Sequence, residues 1–323
     1  MSATAPVPPA APVPPTAPGR PLVLSPAVAE ALADRRPVVA LESTIFSTFG
    51  LPVPHNREAL ERCTKAIAAQ GAVAAVTAVL DGRWHVGLTE EQADRLLAAG
   101  GPVRKTAERD LSVAAAQRWP VGATTVSATV ALAHLAGVEV FATGGIGGVH
   151  RGAELTGDVS ADLDALARHP VLTVSAGAKA FLDLARTLEY LETAGVPVLG
   201  WRTDRFPAFY LRDSGLPVPH RVEEAAEAAR VLRSRVRPET GVLLAAPIPA
   251  EDEPEPEAVR AAIAEALEAC ARQGVTGAAV TPFVLARIER ATAGRSVPAN
   301  LALAEHNAAV AASVAVALAG LSS

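Results

Sequence analysis

Short apolar runs alternate with amphipathic stretches almost from one end of the chain to the other. PVVAL (37–41), AVAAVTAVL (72–80), VEVF (138–141), PVLTVSAG (170–177), PVLGW (197–201) and GVLLAAPIP (241–249) are continuous and mostly valine, leucine and alanine. Such runs are expected of strands buried on both faces. Asp81-Gly82 separates AVAAVTAVL from RWHVGL and predicts a hairpin, which gives the sheet some antiparallel character. Residues 56–69 have helical amphipathic spacing, and Thr89 with Gln92 forms a capping box for a helix running to about Ala99. Residues 255–273 predict a long helix with one charged face, entered through the solvated loop AEDEPEPEA (250–258), and residues 300–320 predict the last helix. No repeat is apparent and no later linker interrupts the pattern. The alternation therefore predicts one three-layer α/β/α domain over residues 21–323, with a mixed, mostly parallel central sheet.

Composition narrows the class. MSATAPVPPAAPVPPTAPGRP is rich in proline and alanine and cannot build a core, so residues 1–20 read as a disordered tail. It lacks the basic start and leucine-type centre of a signal peptide, which points to the cytoplasm. The C-terminal VAASVAVALAGL is too short for a membrane span and reads as a packed helix. A formal net charge of -5 argues against a nucleic-acid surface. The two cysteines, Cys63 and Cys270, lie far apart in helix-like segments and suggest buried thiols rather than a metal site or disulfide framework.

Unusual polar residues fall where the predicted strands end. PVVAL runs into Glu42-Ser43-Thr44, VEVF into Thr143 and the glycines of FATGGIGGVHRGAELTGDVSAD (141–162), and PVLTVSAG into Ala178-Lys179. In α/β sheets, ligands gather beyond the carboxyl ends of the strands. A carboxylate, a glycine loop open to an anion and a lysine would converge there if these strands are neighbours. Each also has a plain reading: a capping glutamate, a tight turn, a solvent-facing lysine. Small and apolar neighbours in SAGAKAFLDL would favour the neutral, nucleophilic amine. Asp158 and Asp162 stand four apart, a spacing that would put both on one helix face or, on the plainer reading, mark a helix N-terminus with acidic capping residues. Lys105 would ordinarily be a surface charge. The glycine run does not fit G-x-G-x-x-G, because His150 stands where a glycine is needed, and no P-loop, nucleophile elbow or H-E-x-x-H occurs.

PVVALEST, GATTVSAT (122–129), VFATGGIGGVHRGAE, DVSADL and SAGAK, in this order, resemble the pseudouridine-5′-phosphate glycosidase (indigoidine synthase A-like) family. LEYLETAGVP (188–197), PIP (247–249), TPFVLARI (281–288) and Asn300 extend the likeness over roughly residues 24–320. The resemblance implies a lyase that reversibly cleaves the C–C glycosidic bond of pseudouridine 5′-phosphate to uracil and ribose 5-phosphate. It implies Lys179 as the nucleophile that forms a Schiff base on the ring-opened ribose, Glu42 as the proton donor and Asp158 as the metal ligand. Ser160, Ala161 and Asp162 would line the substrate site. Lys105 and Val126 match substrate-contacting positions, and Thr143, His150 and Asn300 would complete the site. It further implies one Mn2+ per subunit, largely water-coordinated, and a homotrimer. Some relatives continue into a sugar-kinase domain, so a separate pseudouridine kinase is expected as the pathway partner.

The chain departs from the family where FSTFGLPVPHN follows ALESTI without the usual histidine, and where SVPA precedes Asn300 without a lysine. These changes touch peripheral contacts and leave the Glu42/Lys179 pair in place. The leaving atom is a carbon of uracil, so it must be protonated as it departs, and a carboxylic acid at Glu42 suits that task. An amine relieves charge at the anomeric carbon by splitting one hard step into two easier ones. Lys105, Arg151 and the backbone N–H groups of the glycine run are chemically suited to the 5′-phosphate. Two other readings keep the same residues: a Schiff-base aldolase or lyase on another sugar phosphate, and a non-catalytic sugar-phosphate sensor. An accessory role in pigment biosynthesis is a further alternative carried by the family's second name.

Overall fold

The computed structural model describes residues 21–98, 103–275, 280–291 and 294–321. The expected tail over 1–20 and the expected helix end at Ala99 lie outside them. Among the described residues eleven strands form one sheet. They are β1 (Leu22–Leu24), β2 (Val38–Leu41), β3 (Val73–Leu80), β4 (Arg83–Val86), β5 (Val103–Thr106) and β6 (Val121–Thr124). The second half of the chain adds β7 (Val140–Ala142), β8 (Leu172–Ser175), β9 (Val198–Trp201), β10 (His220–Val222) and β11 (Val242–Ala245).

The main path runs β1-β4-β3-β2-β7-β8-β11-β9-β10. β3 is the branch point. Its first half pairs parallel with β2, while its second half pairs antiparallel with β4 and, on its other edge, with β6. Those are the antiparallel pairings; β5 joins β6 in parallel, and all other neighbours are parallel. The mixed, mostly parallel sheet is thus present, as is the hairpin at Asp81-Gly82. Its six apolar runs each supply a strand. Four strands were not expected: β1, β5, β6 and β10 are three or four residues long, and β5, VRKT, and β10, HRV, carry charges. Short strands of that kind leave no apolar run to read.

A helix at Ser296–Leu321 runs across the middle of the fold. It packs on β2, β7 and β8 and on the helix His55–Ala69. The helix begins a turn earlier than residues 300–320 suggest, because Pro298 sits in its first turn, where a missing N–H costs nothing. By length and composition it could cross a membrane, yet 67% of its apolar stretch is buried inside the fold. A helix apolar all round is what a central position between helices and sheet requires. Cys63 and Cys270 are free and buried, as expected.

Candidate active site

The sheet order answers the convergence question directly. β2, β7 and β8 are consecutive neighbours and run parallel, so their carboxyl ends open on the same edge. Glu42 follows β2, Thr143 and the glycine run follow β7, and Lys179 lies four residues after β8. Between these ends is a pocket of about 200 Å3. Glu42, Lys105, Lys179, Thr44 and Asn300 are its polar lining, and Ile45, Phe49, Phe209 and Leu285 its apolar lining.

Glu42 is seated by a clasp between two of the sequence motifs. The backbone N–H groups of Ser43 and Thr44 donate to the Thr124 carbonyl at 3.3 and 3.1 Å, and the Thr44 hydroxyl adds a bond of 2.7 Å. Thr124 N–H donates in return to Ser43 Oγ at 2.8 Å. Thr77 Oγ1 then lies 2.8 Å from Thr124 Oγ1 and 2.9 Å from Thr129 Oγ1. These buried hydroxyls fix the end of β2 against the end of β6. Lys105 enters through the same clasp, since β5 pairs with β6 in the register Lys105–Ala123.

Thr143 donates its hydroxyl to Glu42 Oε1. Burial pushes the Glu42 carboxyl above the usual carboxylate range, the Thr143 bond and the charges of Lys179 and Lys105 opposing the rise and Asp162 adding to it. Lys105 is pushed down, first by burial and then by the Lys179 charge, against the pull of Asp162 and Glu42. The pocket therefore holds a carboxyl biased toward its protonated form beside a Lys105 ammonium that burial and the neighbouring Lys179 charge disfavour. Thr143 is itself held: its N–H donates to the Val174 carbonyl at 3.0 Å, and its carbonyl accepts from Asn307 Nδ2 at 2.8 Å. Asn307 is fully buried on the central helix and was not singled out in the sequence; it sits in an alanine-rich run with no motif around it.

Not every expected residue reaches the pocket wall. Asp162 is buried with both oxygens committed to backbone: Oδ1 accepts from Ser127 N–H and Oδ2 from Gly147 N–H, each at 2.9 Å. A Cβ at Gly147 would fall 2.8 Å from that Oδ2 and 2.2 Å from Ser160 Oγ, so the close approach demands glycine. Ser160 caps the helix Ala161–Arg168 through a 3.3 Å bond from Asp162 N–H, and Ala161 is exposed at its first position. Val126 is buried at the start of the helix Val126–Ala136. Asp162 thus ties the glycine run to the start of the helix Val126–Ala136.

Three expectations need correction. Asp158 and Asp162 do not share a helix face, because the helix starts only after Ser160, and Asp158 precedes it in a loop where Val159 bridges to Val149. The glycine run offers an anion fewer N–H groups than expected, with Gly144 and Gly145 the two glycines that line the pocket. The N–H groups of Ile146, Gly147, Val149 and His150 donate to the Gly177 carbonyl, Asp162, Thr187 Oγ1 and the Asp158 carbonyl. Arg151 stands on the exposed surface with Nε donating to the Phe181 carbonyl at 3.3 Å, outside the pocket wall.

His150 Nδ1 lies 3.7 Å from Asp158 Oδ2. Its imidazole is held below the usual range, mainly by burial; Asp158 pulls it up, and Lys179 and Lys105 push it down. The pair thus sits within electrostatic reach of the two lysines. Among the described residues no group of three ligating side chains could hold a metal. Asp158 is partly exposed and offers one hard carboxylate. Such a set suits a divalent cation that keeps most of its waters.

Thr44, Ile45, Phe49, Phe209 and Leu285 are pocket residues that the sequence did not single out individually. Leu285 lies inside the TPFVLARI motif, and Phe49 in the loop where the chain departs from its relatives. Phe209 belongs to RFPAFY, an aromatic cluster with neither strand nor helix spacing. That clustering, in a chain with only seven phenylalanines, was the one available signal.

Comparison with known proteins places the chain. The family profile described as indigoidine synthase A like protein matches residues 27–317. Pseudouridine-5′-phosphate glycosidase of Methylobacterium nodulans is 51% identical over 301 residues, covering 93% of this chain and 88% of that protein. The namesake from Caldanaerobacter subterraneus subsp. tengcongensis is 49% identical, covering 91% of this chain and 96% of its own length. The crystal structure of the prealnumycin C-glycosynthase AlnA in complex with ribulose 5-phosphate superposes with a TM-score of 0.85 at 40% identity, covering 93% and 97% of the two chains. An indigoidine synthase A-like protein from Thermotoga maritima gives 0.79 at 35% identity, covering 88% and 93%.

Proposed function

The chain belongs to the indigoidine synthase A-like family, and we propose that it is an enzyme cleaving pseudouridine 5′-phosphate reversibly to uracil and ribose 5-phosphate. The observation that carries this reading is the meeting of Glu42, Lys179 and Lys105 around one pocket at the ends of β2, β8 and β5. Close relatives named for the same activity over nearly the whole chain support it. A structural neighbour seen with ribulose 5-phosphate supports a sugar phosphate as ligand.

The reaction follows from the groups present. The C1′–O4′ bond opens, its electron pair leaving on O4′, which takes up a proton. Lys179 Nζ forms the new bond to C1′. Glu42 delivers its proton to C5 of the pyrimidine while the C1′–C5 bond breaks, the electron pair going to C5 and the nitrogen lone pair forming the C1′=N bond. Uracil leaves, and water hydrolyses the Schiff base to the aldehyde of ribose 5-phosphate and free Lys179. Thr143 holds Glu42 Oε1, leaving the other oxygen to carry the proton. Lys105, half-buried in the pocket wall near Lys179, is the group suited to the phosphate end of the substrate.

Asp158, with His150 behind it, would hold a manganese ion whose charge organises waters and substrate oxygens when bound. The family resemblance supports a homotrimer working in the cytoplasm on a substrate whose 5′-phosphate a kinase supplies. Incubating the protein with uracil, ribose 5-phosphate and manganese should give pseudouridine 5′-phosphate, read by mass and absorbance. Absence of product, with ribose 5-phosphate trapped on the protein by borohydride, would favour instead a Schiff-base lyase acting on another sugar phosphate.

A further inference from the structure

The pocket lining comprises two chemically distinct sets of residues. Glu42, Lys179 and Lys105 suit the sugar phosphate and the bond that breaks, whereas Ile45, Phe49, Phe209 and Leu285 offer carbon surface alone. Asn300 also lines the pocket, and its Oδ1 is buried without a hydrogen-bond partner. A free acceptor and apolar lining together fit a flat, uncharged ring that presents an N–H.

Among the apolar residues Phe209 is the one locked in place. Its backbone has φ of +59°, a region that a bulky side chain rarely enters. A 2.8 Å bond from its N–H to the Ala176 carbonyl holds that conformation, one residue before Gly177 of the SAGAK motif. Its ring meets Tyr210 edge to face, with centroids 4.5 Å apart and an interplanar angle of 70°. The opposite contact is with the glycine run: a Cβ on Gly145 would lie 2.5 Å from Phe209 Cδ2, and one on Gly144 would lie 3.3 Å from Cε2. Gly144 and Gly145 lack side chains where this ring needs their space. Phe209 itself is only 5% exposed, yet it lines the pocket. A strained residue fixed by three neighbours and facing a ligand space is a preorganised binding surface.

We propose that Phe209 is the specificity-determining wall for the leaving pyrimidine, the rigid aromatic surface against which the uracil ring lies while Glu42 protonates it. This rests on the function proposed above. It assigns the choice of leaving ring to Phe209 and leaves the sugar phosphate to the charged residues.

The test is steady-state kinetics in the synthetic direction, with Phe209→Leu and Phe209→Asn. Asparagine tolerates a positive φ, so it serves where leucine disrupts the loop. Loss of base–aromatic stacking should raise KM for uracil roughly tenfold or more. KM for ribose 5-phosphate should stay within about twofold of wild type, with the borohydride-trapped sugar adduct retained, because the charged residues are untouched. An unchanged KM for uracil, or an equal rise for both substrates, would overturn the assignment and leave the proposed reaction standing. A wild-type protein that makes no C–C product from uracil would overturn the reaction and this assignment together.

Discussion

Glu42→Gln isolates the proton-donor role from everything else that residue does. Glutamine keeps the size and retains an amide oxygen to accept the Thr143 hydroxyl, so the seat at the end of β2 should survive. What it loses is the proton. Glu42 is 9% exposed and its carboxyl is raised above the usual range, chiefly by burial, which is the condition for a carboxylic acid to hold a proton near neutral pH. A positioned general acid contributes about 10²–10⁴-fold, or about 3–5 kcal/mol of transition-state stabilisation. Uracil release from pseudouridine 5′-phosphate, followed by absorbance, should therefore fall by that factor. Trapping of ribose 5-phosphate by borohydride should persist, since that step uses Lys179. The same variant reports the electrostatics. A raised folded-state pKa contributes stability below the unfolded value of about 4.3, and that contribution is lost as pH rises through the folded value. Glutamine does not titrate, so the variant should gain in melting temperature relative to wild type as pH climbs from 4 toward 9. Near-wild-type uracil release would refute the acid role, and a gap that narrows with rising pH would refute the burial argument.

Lys179→Ala should abolish turnover and the borohydride-trapped adduct together; an adduct that persists, seen by intact mass, would remove Lys179 as the nucleophile. Lys105→Met should raise KM for ribose 5-phosphate at least about tenfold, the cost of one charge-assisted bond, and an unchanged value would move the phosphate elsewhere. Asp162→Ala should cost roughly 3 kcal/mol or more in urea unfolding, because it strips a charged acceptor from two buried N–H groups, Ser127 and Gly147. Chelation should remove activity that manganese restores, and Asp158→Asn should raise the manganese concentration needed, as read by activity and by metal titration.

The fold was legible where apolar runs are continuous. β2, β3 and β11 are almost entirely valine, leucine and alanine, and β7, β8 and β9 begin in runs of the same kind, so burial on both faces is written into them. β5 and β6 were hidden because the strand that carries Lys105 is VRKT, and its partner VGAT runs on into a helix. Their place is set by pairing with β3 and by the Ser43–Thr124 clasp, contacts more than forty residues apart in the chain that no local pattern encodes. At the helix Ala161–Arg168 the shared face failed, while the reading of an acidic helix N-terminus holds for Asp162 in its first turn. Four residues between two aspartates imply a shared face only if both are helical, and the Ser160 cap ends that continuity.

The site was legible in the same proportion, and for a related reason. Strand ends announce themselves, because a buried apolar run that stops at a charged residue has few other purposes; Glu42 and Lys179 stand out on that ground before any relative is consulted. What stays silent is the material that gives those groups their surroundings. Asn307 holds Thr143, and Thr143 holds Glu42, yet nothing in an alanine-rich helix marks one asparagine as different. Asp162 reads as a substrate ligand by motif, and nothing in the sequence shows that its oxygens also accept from the Ser127 and Gly147 N–H groups. Phe209 enters from a segment without period, and its contacts with Gly144 and Gly145 exist only after β7 and β8 have been brought side by side. Two of the glycines read from sequence as room for an anion also make room for the protein itself: for a carboxylate at Gly147 and an aromatic ring at Gly145. Enlarging either glycine should damage the site without touching a catalytic atom. Gly145→Ala is the sharper case, since its Cβ would press on Phe209 alone, so KM for uracil should rise ahead of any loss in borohydride-trapped adduct.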